Sequence, residues 1–179
     1  AHNFEVDGSG NANGAGNRNG SRWYQIQNLS TTPSLVQSGT LFDSSATNPK
    51  SFWIPSVAMS GQGHMSMGTS YGSAVDKAGC AVSGRLSGDP LGTTQAPTLA
   101  VISTFNYNIN PPRWGDYSMT VVDPTDDMTM WTFQEYCNAT NSWGVRVMQL
   151  LAPLPATPTT ASPAVTQGQS NVNVTVTGT

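Results

Sequence analysis

The chain carries little charge: Asp, Glu, Lys and Arg make up only 9% of its 179 residues, and the formal net charge is −3. Average soluble domains contain about a quarter charged residues, so this surface depends on uncharged polar groups. A small negative charge provides no attraction to nucleic acid or to an anionic membrane, and we expect neither as a partner. Low charge also removes a usual barrier to self-association.

Long apolar stretches and helical patterns are missing as well. No segment approaches the roughly 18 uninterrupted apolar residues that indicate a membrane-spanning helix, so we expect no such span. No window combines a helical apolar period with helix caps. Gly, Ser, Thr, Asn and Pro are abundant, which is typical of short strands joined by turns. We therefore predict an all-β fold, with the Gly/Asn-rich segment 11–21 as a loop.

Cysteine is scarce, since only Cys80 and Cys137 are present. Neither belongs to a CxxC or Cys-His spacing, so the sequence does not indicate a metal site or a reactive thiol. Two interpretations stay open: a disulfide between neighbouring repeats, which we favour, and two buried free thiols. A bridge would stabilise the fold by about 3–4 kcal/mol in the loop-entropy model. It would also place the protein in an oxidising compartment.

What the sequence does contain is a repeat of strand, tight turn and strand. Residues 56–71 and 117–136 read in the same way, and the Met-x-Met pair at 65–67 recurs at 128–130. A fainter copy opens the chain at residues 4–6. Recurring methionines between polar residues indicate packing between sheets. Repeats of short strands predict antiparallel, propeller-like blades of four strands each. With so few units, we expect a partial β-propeller, a piece of something larger.

The C-terminal part has a different composition. We expect residues 1–151 to form the propeller-like domain and residues 152–163, APLPATPTTASP, to form a proline-rich extended linker. Residues 164–179 then contain an isolated strand, because 171–177 alternates Val with Asn or Thr. A single strand is not stable without partners. It therefore either begins a further domain or is donated to a sheet of this molecule or of a neighbouring one.

The densest cluster of functional side chains is the RWGDY segment with Arg113, Trp114, Asp116 and Tyr117. Arg next to Trp permits cation–π stacking, and Asp116 suits either a pair with Arg113 or a sugar hydroxyl. The structural alternative is an aromatic corner held by the Arg–Asp pair. We treat the four residues as a candidate ligand-binding site. A carbohydrate platform would also draw on further indoles, namely Trp53, Trp131 and Trp143.

Three carboxylates lie within five residues of a turn, on Asp123, Asp126 and Asp127. Spaced oxygen ligands on a flexible loop suit calcium, which is the one cofactor that the sequence suggests. The Gly and Glu that an EF-hand loop has at its sixth and twelfth positions are absent. The alternative is a hairpin turn in which these side chains accept hydrogen bonds from nearby backbone amides.

The sequence RWGDYS at 113–118, followed by VDP at 122–124 and DMTMWTFQEY at 127–136, resembles the last blades of large secreted bacterial proteins. These are sialidase-like β-propellers of the BNR/Asp-box type. The likeness covers most of residues 1–150 and includes GRLSGDPLG at 84–92. The tail resembles the first strand of an Ig-like or IPT-type domain. The strict Asp-box pattern is absent, so the resemblance implies an architecture and a cell-surface location rather than a reaction.

Two classes of function stay open. We expect a non-catalytic extracellular module, structural or adhesive, that assembles through sheet edges or by strand donation. Its partners would be further copies or other domains of a larger chain. The alternative is a glycan-binding module or a sialidase-type glycoside hydrolase fragment. In the hydrolase, the tyrosine and carboxylate at residues 135–136 would act together with three arginines, Arg85, Arg113 and Arg146.

Overall fold

The computed structural model describes residues 1–154, 158–162, 169–170 and 173–178, which form strands, turns and loops and no helix. The all-β prediction is confirmed. The first sheet comprises β1 (His2–Val6), β2 (Arg18–Gln27) and β3 (Ser34–Leu41). The second sheet comprises β4 (Ser51–Met59), β5 (Met65–Gly72), β6 (Gly79–Arg85) and β7 (Thr98–Val101). The third sheet comprises β8 (Met119–Val122), β9 (Met130–Ala139) and β10 (Ser142–Leu150). Every pairing in these sheets is antiparallel and joins strands that are neighbours in sequence. In the described part of the chain, no helix is long and apolar enough to cross a membrane.

The three sheets stack in the order of the sequence, with the second sheet between the other two. All eight residues of β5 are buried. Successive strand residues point to opposite faces, so β5 contributes to both interfaces. Met65, Met67 and Tyr71 belong to one core cluster with Trp23 of the first sheet. Gly68 lies against the third sheet instead.

The two interfaces differ in chemistry. The first is apolar, and its fully buried members include Trp23, Phe52 and Met67. The second is polar, since Thr120 Oγ1 donates to Ser56 O across it at 3.0 Å, and the buried Thr120 and Thr132 hydroxyls there are 2.9 Å apart. The four methionines of the two Met-x-Met pairs are all buried, as predicted: Met65, Met67, Met128 and Met130.

The predicted strand–turn–strand repeats are present as β4–β5 and β8–β9. The first turn closes with Gly63 N–H donating to Ser60 O at 2.9 Å. In the second, Asp127 N–H donates to Asp123 O at 3.0 Å. The predicted four-stranded unit is found only in the second sheet, because the first and third sheets have three strands each. Within the described residues, the stacked sheets do not close into a ring.

The tail differs from the sequence-based expectation. Pro158–Ser162, within the expected linker, forms β11. It pairs antiparallel with β12, Thr175–Gly178, so the tail strand is not isolated. The alternating pattern predicted a strand from residue 171, whereas Asn173 and Val174 precede β12 and residues 171–172 lie outside the described ranges. The division of the chain at residue 151 stays a prediction.

Candidate functional site

An aromatic cleft of about 290 Å³ lies between β4 and the loop that leads to β8, lined by Trp53, Ala78, Tyr107, Pro112, Arg113 and Trp114. Trp114 is fixed because its Nε1 donates a hydrogen bond to Ser70 Oγ at 3.0 Å. The Tyr107 ring meets it edge to face, with centroids 4.8 Å apart and planes at 85°. Such edge-to-face pairs stabilise a defined geometry. The cleft is therefore built from rings held in fixed orientations.

Charged groups lie at the rim of this cleft. The Arg113 guanidinium forms an ion pair with the Asp116 carboxylate, as the sequence suggested, and both side chains are exposed. An exposed ion pair contributes at most about 1 kcal/mol to stability. Both groups therefore remain free to exchange hydrogen bonds with a ligand at little cost to the fold.

Gly115 brings this segment close to the third sheet. Its φ of 51° lies in the left-handed region, and an added Cβ would come within 3.0 Å of Ile54 Cδ1 and 3.2 Å of Glu135 Oε2. Burial raises the pKa of Glu135, and the nearby Asp116 charge acts in the same direction, while the hydrogen bond from Gly115 opposes both. Glycine is required here because a side chain would be strained as well as crowded.

Tyr117 lies apart from the other three residues of the RWGDY cluster. Its side chain is 86% exposed. It borders a trough of about 440 Å³ on the third sheet, together with Ser118, Met119, Phe133, Glu135 and Val145. The structure thus brings Arg113, Trp114 and Asp116 together and places Tyr117 in a different depression.

Tyr107 was not predicted from the sequence, and two of the four tryptophans considered for a sugar platform lie outside the cleft. Trp53 and Trp114 share the cleft, whereas Trp131 Nε1 donates to Asp123 Oδ2 at 3.1 Å. Trp143 is exposed on β10. Tyr107 had no recognisable signal beyond being an aromatic residue in a polar, proline-containing loop.

The carboxylates proposed for calcium hold their own turn. Asp123 Oδ1 accepts the Thr125 N–H at 2.9 Å. Asp126 accepts both the N–H and the hydroxyl of Thr129, at 2.9 and 2.6 Å. These bonds lower the pKa of both carboxyls; the largest contribution for Asp123 comes from the Thr125 N–H and for Asp126 from the Thr129 hydroxyl.

Asp127, the third carboxylate, is directed elsewhere. Its Oδ1 accepts the Gly61 N–H at 3.0 Å and so joins the two equivalent turns of the second and third sheets. Among the described residues, no three His, Cys, Asp or Glu side chains form a group that could hold a metal ion. The arrangement corresponds to the hairpin-turn alternative, with an added link between repeats.

Cys80 and Cys137 are free and buried in the structure, which corresponds to the second of the two interpretations. The favoured disulfide is not formed. Burial raises the pKa of Cys80 to about 11, so its thiol stays protonated at neutral pH. The two cysteine segments are nevertheless neighbours, because Cys137 N–H donates to Ala78 O at 2.8 Å.

The residues suggested for sialidase chemistry do not form one site. Glu135 and Tyr136 are adjacent in β9 and so point to opposite faces. Arg85 is buried, with its guanidinium 6.0 Å from the Trp23 ring centroid in the first interface. Arg146 is exposed on β10.

Comparison of the chain with models of protein families, with curated proteins and with solved structures finds no match. Two features have chemical consequences: the aromatic cleft with its charged rim, and the edge strand and exposed face of the third sheet. The cleft offers ring faces and hydrogen-bonding groups, whereas the third sheet offers backbone groups and apolar side chains.

Proposed function

We propose that the protein is a non-catalytic, extracellular structural module that associates with further copies through the open edge of its third sheet. The observation that carries this proposal is β10. This strand spans nine residues, pairs with β9 on one side, and has no strand partner on the other side among the described residues. An unpaired edge presents a row of backbone donors and acceptors that another strand satisfies by pairing.

The composition of β10 favours such pairing. Trp143, Val145 and Val147 are each about half exposed, at 56%, 49% and 48%. Arg146 is the single charged residue of the strand, and proline is absent. Natural sheets protect exposed edges with charges, prolines or very short strands. β10 has little of this protection.

Each of the other edges of the three sheets is either partly contacted by another segment or short. Beside β3, the Gly92 N–H donates to the Gln37 side chain at 3.0 Å. β1 is bordered by its own following loop through a bridge between Val6 and Ala12. Hydroxyls near β8 donate to carbonyls of β4, so these two edges contact each other. β7 is only four residues long. The contrast favours β10 as the assembling edge.

Light scattering over a concentration series tests the proposal when wild type is compared with Met148→Pro and Gln149→Pro. Adjacent residues of an edge strand direct their N–H groups alternately to the partner strand and to the open side. One proline therefore removes a bond to β9 and lowers the melting temperature. The other, here called the outward proline variant, removes only an N–H that points to the open side of β10. We expect it to reduce assembly while the protein stays folded.

The two variants serve as each other's control. Assembly that stays at the wild-type level in the variant with the unchanged melting temperature would contradict edge pairing. A wild type that stays at 18.8 kDa at every concentration would contradict self-association altogether.

We infer further that the three stacked sheets are propeller-like blades. The support is that each is an antiparallel meander and that each packs its face on the next in sequence order. The resemblance of residues 113–136 to secreted bacterial β-propellers supports this inference and, with it, a secreted, cell-surface location. The tail strand gives less support to strand donation, because β12 is already paired with β11.

A second candidate function, glycan binding, is favoured by the aromatic cleft. The partly positive C–H groups of a sugar ring stack on the negative faces of aromatic rings. Arg113 and Asp116 at the rim supply hydrogen bonds of both kinds. The cleft volume of about 290 Å³ suits one or two sugar residues.

A glycan array followed by fluorescence titration of the strongest hit tests this candidate. We expect Trp114→Ala to abolish binding and Arg113→Ala to weaken it at least tenfold. Trp143→Ala, an exposed indole outside the cleft, is the matched control and should bind as wild type does. Absence of binding to every glycan, or equal loss in the Trp143 variant, would contradict a glycan site at the cleft.

A further inference from the structure

The third sheet exposes an apolar face, here called the outer face of the third sheet. Cross-strand register aligns Met119, Phe133 and Val147 across β8, β9 and β10. Val145 lies opposite Glu135 on the same side. The apolar members of this set are exposed, whereas Thr132 and Gln134 on the opposite side of β9 are buried against the second sheet. One side of the sheet is thus core and the other is an uncovered apolar surface.

The first sheet exposes a second surface, called the outer face of the first sheet. Tyr24, Ile26 and Leu35 are exposed there, and Ile26 lies directly opposite Leu35. The His2 ring stacks on Tyr24 with centroids 5.7 Å apart. The Arg22 guanidinium lies 5.1 Å from a phenylalanine ring centroid on the same surface. This surface is apolar and aromatic with basic groups.

The two outer faces are the ends of one continuous stack. Inside the chain, the first sheet covers one face of the second, and the third covers the other, so that β5 is buried on both sides. If the stack continued with the same kind of contact, the third sheet of one copy would pack against the first sheet of another copy. Contiguous exposed apolar surface on a soluble protein marks an interaction site. Continuity of the stack identifies the partner as another copy of this chain.

The charges on the outer faces are complementary. Glu135 is the one carboxylate that β8–β10 contribute to the outer face of the third sheet. On the outer face of the first sheet, β1–β3 contribute the Arg22 guanidinium and no carboxylate. Complementary charges set which surfaces meet. Like faces would bring together two copies of Glu135 or two copies of Arg22, which disfavours pairing of a face with itself.

We propose that copies associate head to tail, with the outer face of the third sheet of one copy packed on the outer face of the first sheet of the next. This deepens the proposed self-association and rests on it, but it uses sheet faces rather than the β10 edge. The interface is heterologous, since the two surfaces differ. Repeated contacts of this kind generate a closed ring or an open filament.

Two surface variants test the arrangement. Phe133→Lys places a charge on the outer face of the third sheet, and Ile26→Lys places one on the outer face of the first. Both are made in the outward proline variant of β10, which removes edge pairing. Each retains one intact face, so each alone is expected to be monomeric. Mixed in equal amounts, they have one compatible pair of faces left and should form a dimer of twice the chain mass that does not grow. Light scattering and analytical ultracentrifugation measure this.

Controls separate folding from assembly. Val75→Lys changes a side chain that is 64% exposed and lies on neither outer face. It should assemble as wild type does. Circular dichroism and melting curves verify the fold of every variant. If Phe133→Lys or Ile26→Lys does not fold, Met119→Lys or Tyr24→Lys replaces it on the same face.

The outcomes distinguish the two proposals. Growth of either face variant alone, or a mixture that stays monomeric, overturns head-to-tail stacking. If the outward proline variant of β10 is itself monomeric while wild type assembles, edge pairing stands and stacking is wrong. If that variant assembles as wild type does and the added face substitutions block growth, stacking stands and edge pairing is wrong. A monomeric wild type overturns both.

Discussion

At the scale of single residues, we expect the stability of the hairpin turn between β8 and β9 to depend on pH through Asp126. Its carboxylate accepts the N–H and hydroxyl of Thr129, which lowers its pKa below the ordinary 3.8. Because the pKa of Asp126 is lower in the folded protein than in the unfolded chain, its contribution to stability is fully present above the unfolded-state pKa. That contribution is lost as the pH falls through the folded-state pKa.

We therefore expect Asp126→Ala to lower the melting temperature at pH 5–7. The difference from wild type should shrink as the pH drops below about 3.8. Melting curves from pH 2 to pH 7 measure this, and Asp116→Ala, an exposed carboxylate outside the turn, is the control. A wild type that is stabilised by added calcium, with no such effect in Asp126→Ala, would instead favour a metal-binding turn.

The two thiols lead to a second prediction at this scale. Both are buried, and burial raises the pKa of Cys80 to about 11, so the reactive thiolate is scarce at neutral pH. We expect an alkylating reagent to modify neither cysteine in the native protein and both in denaturant. Intact mass spectrometry measures the added mass. An unmodified protein in denaturant, lighter by about two hydrogens, would indicate the disulfide instead.

At the scale of elements, the contact between the second and third sheets depends on Gly68. A Cβ at this position would overlap Thr132 Oγ1 and Gln134 Nε2, both buried. Overpacking of this kind costs about 1–3 kcal/mol. We expect Gly68→Ala to lower the free energy of unfolding by that amount in denaturant titrations. Combining it with Gln134→Ala should recover part of the loss, whereas purely additive effects would show that the overlap is relieved elsewhere.

Individual strands were largely predictable because their patterns are local. Alternation identified Arg22–Gln27, and the repeated segments identified β4–β5 and β8–β9. The start of β2 was not predictable, since Arg18 lies in a Gly/Asn-rich segment expected to be a loop. Its strand conformation depends on distant partners: Arg18 Nη1 donates to Ser45 O at 2.9 Å, and Asn19 N–H donates to Ser51 Oγ at 3.0 Å. Tertiary contacts overrode local preference there.

The candidate site was only half predictable for a similar reason. Arg113, Trp114 and Asp116 are close in sequence, so their proximity needs only a short loop. Trp53 and Tyr107 join them because the loop before β8 returns across β4, and nothing in local composition specifies that path. The sequence therefore predicted the Arg113, Trp114 and Asp116 cluster and named Trp53 as an indole for a sugar platform, but it did not predict that Tyr107 completes the aromatic lining.

At the scale of the whole molecule, the tail has its own pairing, which predicts its dispensability. β12 pairs with β11 rather than with a stacked sheet. We expect deletion of residues 164–179 to change neither the melting temperature nor the assembly of the protein. Light scattering and melting curves of the truncated chain measure this. Loss of assembly with an intact fold would instead establish strand donation by the tail.

The pairing of each strand with its neighbour in sequence has a consequence for synthesis. Hairpin pairings join residues that are close in sequence, which favours formation of each sheet before the contacts between sheets. A sheet can therefore form as soon as its own residues leave the ribosome. Its faces, however, remain in water until the next sheet arrives, and Trp23 is covered only after β5 has been made. During translation the nascent chain exposes one apolar face after another, and transiently exposed apolar surface of this kind is prone to aggregation.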